Sequence, residues 1–283
     1  MNLNLKVIYV DSLPFLWSEK DYLPYNVSVY CAQQCLEMPI QSGKQISKIN
    51  NLKWVNPITP TLYEIQKLEK EDFVLLNLGG LHSPIGEGIE YAKIVLTASF
   101  NALKNKGYKK IKITCGNMAF QKLSDLISKL NVDNILEIKV GTMSQIDYLS
   151  EIKKSSLFIT SPGLTSIYET ATLNIPTVIL PPQNLSQYYN INFACRLIKN
   201  VQLITWEEND LSFKNIEPYL NEGEEFVVKK IYELISSYKD NVSIMKNIEE
   251  KIINAIEKVF INGGNSYTFE QNGTQQVLNE LIS

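Results

Sequence analysis

Histidine and arginine are almost missing from this chain. Its 283 residues hold one histidine, His82, and one arginine, Arg196, among 27 lysine and arginine side chains. A clamp of arginines on phosphate is thereby ruled out, and backbone N–H groups must do most of any such work. The four cysteines, Cys31, Cys35, Cys115 and Cys195, form no zinc-type paired set. Cys31 and Cys35 are spaced to share a helix face as a buried pair of thiols. No Asp-x-Asp stretch offers a metal site. No apolar run is long enough to span a bilayer, and the polar start Met1–Asn4 is no signal peptide. A cytoplasmic protein with reduced thiols is expected. The net charge of -3 gives no general attraction to nucleic acid or an anionic membrane. A Gly-Lys-Ser/Thr phosphate loop and a complete Gly-x-Gly-x-x-Gly fingerprint are both lacking. That disfavours an ATPase and an NAD-dependent oxidoreductase. No internal repeat is evident.

What is present is alternation. From Glu71 onward, apolar runs of strand length alternate with helical patterns. Strands are predicted at Phe73–Leu78, Lys110–Thr114, Ile135–Val140, Leu157–Thr160, Pro176–Leu180 and Val201–Trp206. Helices are predicted over about 88–104, 117–130, 145–153, 189–198, 224–238, 242–261 and 274–281. This is the pattern of a parallel, doubly wound α/β sheet. Gly263-Gly264-Asn265 breaks the chain before the last helix. Trp206–Asp210 reads as a solvated acidic loop. Ahead of it all, Leu5–Val10 and Leu52–Val55 read as strands and Tyr25–Leu36 as a helix with Val27, Tyr30, Cys31 and Cys35 on one side. Pro57 and Pro60 mark a linker. The expected division is an incomplete segment, 1–70, and a Rossmann-like domain, 71–283.

The densest chemistry lies in residues 157–190. Strand Leu157–Thr160 ends at Ser161-Pro162-Gly163, where Gly163 permits a sharp turn. Thr165 or Ser166 is placed to cap the next helix, and Glu169 lies one turn in. A helix start holds an anion through free N–H groups and the positive end of its dipole. Glu169 could accept hydrogen bonds from the vicinal hydroxyls of a ribose. Pro181-Pro182 then forces an extended loop carrying Gln183, Asn184 and Gln187. That loop opens on the edge where parallel sheets bind ligands, beyond the strand carboxyl ends.

These residues resemble the donor-sugar site of glycosyltransferases with two facing Rossmann-like domains, the GT-B fold. They are most similar to MurG-like UDP-N-acetylglucosamine transferases. The likeness rests on Gly163 and Glu169 six residues apart, on Asn174-Ile175-Pro176, and on Gln187-Tyr188-Tyr189-Asn190. It implies that Glu169 binds the ribose and that Ser161, Pro162, Gly163, Leu164 and Thr165 hold the diphosphate. Gln187, with Asn184, would meet the sugar, and Thr142 and Met143 the uracil. Gly79-Gly80 resembles the loop that opens such a donor domain. Val10–Pro14 and Tyr30–Gln33 resemble segments of the cytosylglucuronate synthases, another GT-B group.

The expected function is transfer of a sugar from a nucleotide diphosphate, UDP in the first instance, to a small acceptor. By the resemblance it is inverting and needs no metal or other cofactor. Asp11, at a strand exit, and His82, in the glycine loop, are the catalytic candidates, with Glu87 competing as base. GT-B enzymes begin with a complete first domain, and residues 1–60 resemble only its tail. Either the front is missing, or a short form works with a partner chain or as a homo-oligomer. Two further readings stay open: a sugar-nucleotide-binding subunit without turnover, and an epimerase of the UDP-N-acetylglucosamine 2-epimerase type.

Overall fold

The computed structural model describes residues 5–35, 38–59, 68–83, 86–130, 135–198, 201–206, 211–260 and 272–282. Pro84 and Ile85 of the glycine loop, Pro60, the acidic stretch 207–210 and Gly263-Gly264-Asn265 lie outside them, as do the side chains of Glu87 and Cys195. In chain order the elements begin with β1 (Ile8–Asp11), β2 (Val29–Gln33), α1 (Ile40–Ile46), β3 (Leu52–Val55) and β4 (Val74–Asn77). There follow β5 (His82–Ser83), β6 (Gly86–Glu87), α2 (Ile89–Asn105), β7 (Lys110–Thr114), α3 (Asn117–Leu130), β8 (Glu137–Gly141) and α4 (Gln145–Lys154). Next are β9 (Leu157–Thr160), α5 (Leu164–Leu173), β10 (Thr177–Ile179), α6 (Leu185–Leu197), β11 (Val201–Leu203) and α7 (Phe213–Ile216). The chain closes with α8 (Glu224–Tyr238), α9 (Val242–Val259) and α10 (Gly273–Ile282).

Two compact units result. The first takes Met1–Thr61, Glu217–Val227 and Thr268–Ser283; the second takes Leu62–Ile216 and Val228–Tyr267. The chain therefore crosses between units more often than one boundary at residue 70 implies. In the first unit, β1, β2 and β3 form a parallel sheet in that order. One face carries Tyr30 and Ala32 against Leu23, Ile46 and Ile49. The other carries Val29, Cys31 and Val55 with Val277 of α10. Gly273 makes that return possible, since a Cβ there would collide with the Asn56 carbonyl oxygen.

The helix expected over 25–36 is absent, because Val29–Gln33 is a strand buried at all five positions. A strand covered on both faces shows no polar alternation, so chance helical spacing misleads there. Cys31 and Cys35 accordingly share no helix face. The helix α1 carried no recognised sequence signal.

The second unit holds a six-stranded parallel sheet in the order β11-β10-β9-β4-β7-β8. Numbered within the unit, that is 6-5-4-1-2-3, the doubly wound order. Val74–Asn77 and Leu157–Thr160 are buried throughout, as inner strands of such a sheet must be. The order reverses between β4 and β9, which pair from Val74↔Leu157 to Asn77↔Thr160. The loops leaving these two strands diverge to opposite faces, and a crevice opens where they part.

Candidate functional site

The crevice is built from the carboxyl ends of β4, β7, β8 and β9 and the starts of α4 and α5. An open pocket of about 240 Å³ there is lined by Asn77, Thr114, Cys115, Met143, Gln145, Tyr148, Thr165, Ser166 and Glu169. Gly163 is the N-cap of α5, and no side chain caps that end. This corrects the expectation that Thr165 or Ser166 would cap it. Ser166 is drawn elsewhere: its Oγ accepts from Asn77 Nδ2 at 3.1 Å and lies 3.0 Å from Tyr148 Oη. A helix start without a side-chain cap keeps N–H groups for a ligand.

Glu169 sits on the next turn, 1% exposed. Gln145 Nε2 donates to its Oε1 at 2.9 Å, and Oε2 has no hydrogen-bond partner. Burial pushes its carboxyl up to about 7, against the pull of the Gln145 bond. A buried carboxylate oxygen with nothing to accept from is costly. Two vicinal hydroxyls would satisfy it. Burial, and then the charge of Glu169, push the Tyr148 phenol far up, so it stays neutral.

A second group of amides surrounds the glycine loop. Gly80 has φ +80°, the left-handed region that favours glycine. A Cβ on it would stand 3.4 Å from Gln187 Nε2 and 3.5 Å from Asn184 Nδ2. Ser161 Oγ and Gln183 Nε2 both donate to the Gly79 carbonyl at 3.0 Å. Asn184 is the N-cap of α6, its Oδ1 accepting from Gln187 N at 3.1 Å. The extended loop expected to carry Gln183, Asn184 and Gln187 is therefore short, and Gln187 lies on α6. The helix starts at Leu185 because Asn184 satisfies its first turn. Asn190 Nδ2 donates to the Pro162 carbonyl at 3.0 Å, while its Oδ1 and the Gln183 Oε1 are buried without partners.

Neither catalytic candidate belongs to these groups. His82 is exposed on the two-residue strand β5, with Glu87 opposite it on β6. Asp11 belongs to the first unit and is buried. Its carboxylate accepts from Leu13 N at 2.9 Å, Trp17 Nε1 at 2.6 Å and Tyr30 Oη at 2.7 Å. Thr142 is exposed, whereas Met143 lines the pocket.

Asn77, Gln145 and Tyr148 were not singled out from the sequence. A polar residue ending the apolar run Val74–Leu76 was the available signal for Asn77. For Gln145 it was the position just after Ser144, which caps α4 by accepting from Asp147 N.

Among the described residues no group of three His, Cys, Asp or Glu side chains could hold a metal ion, and no helix is long and apolar enough to cross a membrane.

A family model described as the glycosyltransferase family 28 C-terminal domain matches residues 90–252, more than half of the chain. No curated protein matches. Among solved structures, the UDP-GlcNAc 2-epimerase of Methanocaldococcus jannaschii in complex with UDP-GlcNAc and UDP is similar at 13% identity. That likeness covers 90% of this chain and 75% of that one, with a TM-score of 0.50. MurG of Acinetobacter baumannii is similar at 14% identity over 91% of this chain and 67% of its own, TM-score 0.43. The S. aureus MnaA–UDP structure is 12% identical over 71% of this chain and 47% of its own, TM-score 0.36. The chain thus spans from about half to three quarters of these relatives' lengths. At such identity the likeness shows the fold, a GT-B-type Rossmann-like, doubly wound architecture.

Proposed function

The chain belongs to the glycosyltransferase family 28 C-terminal domain family, and from that premise we propose that it moves a sugar from a nucleotide diphosphate, UDP in the first instance, to a small acceptor. One observation carries the reading. Glu169 keeps a buried, unpartnered oxygen beside a helix start without a side-chain cap, at the point where the strand order reverses. A nucleoside diphosphate offers both complements, ribose hydroxyls for the carboxylate and phosphate oxygens for the helix start.

In this reading the α5 start, with Ser161, Pro162, Gly163, Leu164 and Thr165, holds the diphosphate. Thr142 and Met143 flank the base. Gly79 and Gly80 let the backbone come close, while Asn184 and Gln187 meet the sugar. An acceptor hydroxyl oxygen attacks the anomeric carbon as the bond to the diphosphate breaks, inverting that centre. The helix N–H groups and dipole, rather than a metal, take up the leaving charge. The acceptor proton goes to His82 or Asp11. The three donors already on Asp11 favour His82, which is exposed. Membership of a transferase family supports transfer over epimerisation.

Thermal unfolding against UDP, GDP, dTDP, CMP, NAD and ATP tests the donor site. A ligand at about a hundred times its dissociation constant adds roughly 2.7 kcal/mol. UDP alone should raise the midpoint, and Glu169→Ala should abolish the rise. No rise with any nucleotide would sink the reading. Binding without turnover, alone or with cell extract, would favour the non-catalytic subunit.

A further inference from the structure

Gln145 is exposed, yet it reaches a carboxylate that is almost wholly buried. Its register is fixed from both sides. Ser144 caps α4, which makes Gln145 the first helical residue. Two rungs then join α4 to α5: Gln145 to Glu169 at 2.9 Å, and Tyr148 to Ser166 at 3.0 Å. Residues 145 and 148 are one turn apart on α4, as 166 and 169 are on α5, so the rungs run side by side. The second rung continues to Asn77 on β4 and ties the pair of helices to the sheet. The first rung ends on Oε1 of Glu169 and leaves Oε2 unpartnered.

We propose that Gln145 is a positioning residue for the donor: it fixes one oxygen of the Glu169 carboxylate and so leaves the other to the ribose hydroxyls. This rests on the nucleotide-sugar reading above. Gln145 also lies just after Gly141–Met143, the loop assigned to the base, and so couples base and ribose recognition. Its bond favours the ionised carboxylate, which accepts from both hydroxyls, over the protonated one. The other titratable groups lining the pocket are Tyr148 on α4 and Cys115 after β7. Burial pushes both up, so both are neutral near pH 7, and among the described residues no Lys or Arg lines the pocket.

The test is calorimetric titration of UDP-N-acetylglucosamine, whose diphosphate has no ionisation near neutrality, from pH 5.5 to 9. Wild type, Gln145→Leu and Gln145→Lys are compared; residue 145 is exposed, so both variants should fold. Wild-type affinity should fall as pH drops through about 7. Gln145→Leu should move that fall upward by about one pH unit, weakening binding about fivefold at pH 7 and little at pH 9. Gln145→Lys should move it the opposite way. A Gln145→Leu variant that binds as wild type, binds more tightly, or weakens equally at every pH overturns the proposal. Failure of the wild type to bind at all pH values sinks the donor reading and this inference with it.

Discussion

Replacing Glu169 by glutamine removes a charge from a buried site while keeping its shape, and the effect should depend on pH with a definite sign. The folded carboxyl is held up at about 7 by burial, whereas the unfolded one sits near 4.5. Folding therefore favours the protonated form. Its contribution is intact below the unfolded value, is progressively lost as pH rises, and levels off above the folded value. The amide in the variant does not titrate. Any cost of the unmatched amide is the same at every pH and cancels. The difference in unfolding free energy between wild type and Glu169→Gln should thus move by about 2–3 kcal/mol in favour of the variant between pH 5 and pH 8. For a unit of this size that is about 5–10 °C in midpoint. Urea unfolding of both proteins at half-unit pH steps would read it. A difference that stays flat over this range would mean that Glu169 is ionised and well solvated at neutral pH, and would refute the buried, unpartnered oxygen on which the site is built. Glu169→Gln should also weaken nucleotide-sugar binding at pH 8 although its stability relative to wild type improves from pH 5 to pH 8, a split that loss of fold cannot produce.

Four other outcomes are expected. Asp11→Ala should cost about 3 kcal/mol or more in urea unfolding, since it strands the donors of Leu13, Trp17 and Tyr30; unchanged stability with lost transfer would instead mark Asp11 as a chemical participant. Gly273→Ala drives a Cβ into the Asn56 carbonyl oxygen, so α10 should lose protection in hydrogen exchange, and unaltered exchange would show that the contact can yield. Gly80→Ala forces a side chain into left-handed backbone at a cost of about 1 kcal/mol and places its methyl against Gln187 and Asn184. Nucleotide-sugar affinity should fall while that of UMP holds. His82→Gln should leave nucleotide affinity unchanged and lower transfer by about a hundredfold if His82 is the base; an unaltered rate would return that role to Asp11.

The parts of the site that could be read from the sequence are those carried by contiguous chain. Strand, Gly163, helix and Glu169 lie within thirteen residues, and their spacing fixes their geometry without help from elsewhere. The same holds for the left-handed Asn174 that ends α5 and turns the chain into β10. The start of α6 was within reach too. Asn184 with Gln187 three residues on is a capping pattern, although Pro181-Pro182 just before it suggests a longer loop. The strand β2 resembles a helix in sequence because Val27, Cys31 and Cys35 fall at helical intervals, and nothing local reveals the neighbours β1 and β3 that pair with it.

What stayed illegible depends on strand order. Asn77 and Thr160 meet because β4 lies beside β9, which brings together residues 83 positions apart. Once they meet, Asn77 reaches Ser166, and Tyr148 and Gln145 face α5 rather than solvent alone. Each of these polar residues alone reads as an ordinary turn or surface position. Their chemistry arises only when the sheet reverses its order between two chosen strands. The start of α5 is a local matter by contrast, since Gly163 holds its N-cap position and has no side chain to cap with. Asn77→Ala removes the bonds that tie Thr160 of β9 and Ser166 of α5 to β4, and should weaken the anion site without touching any residue assigned to the ligand. Inorganic pyrophosphate affinity of that variant reads the effect, and affinity equal to wild type would show that the Ser161–Thr165 turn holds the site without these bonds.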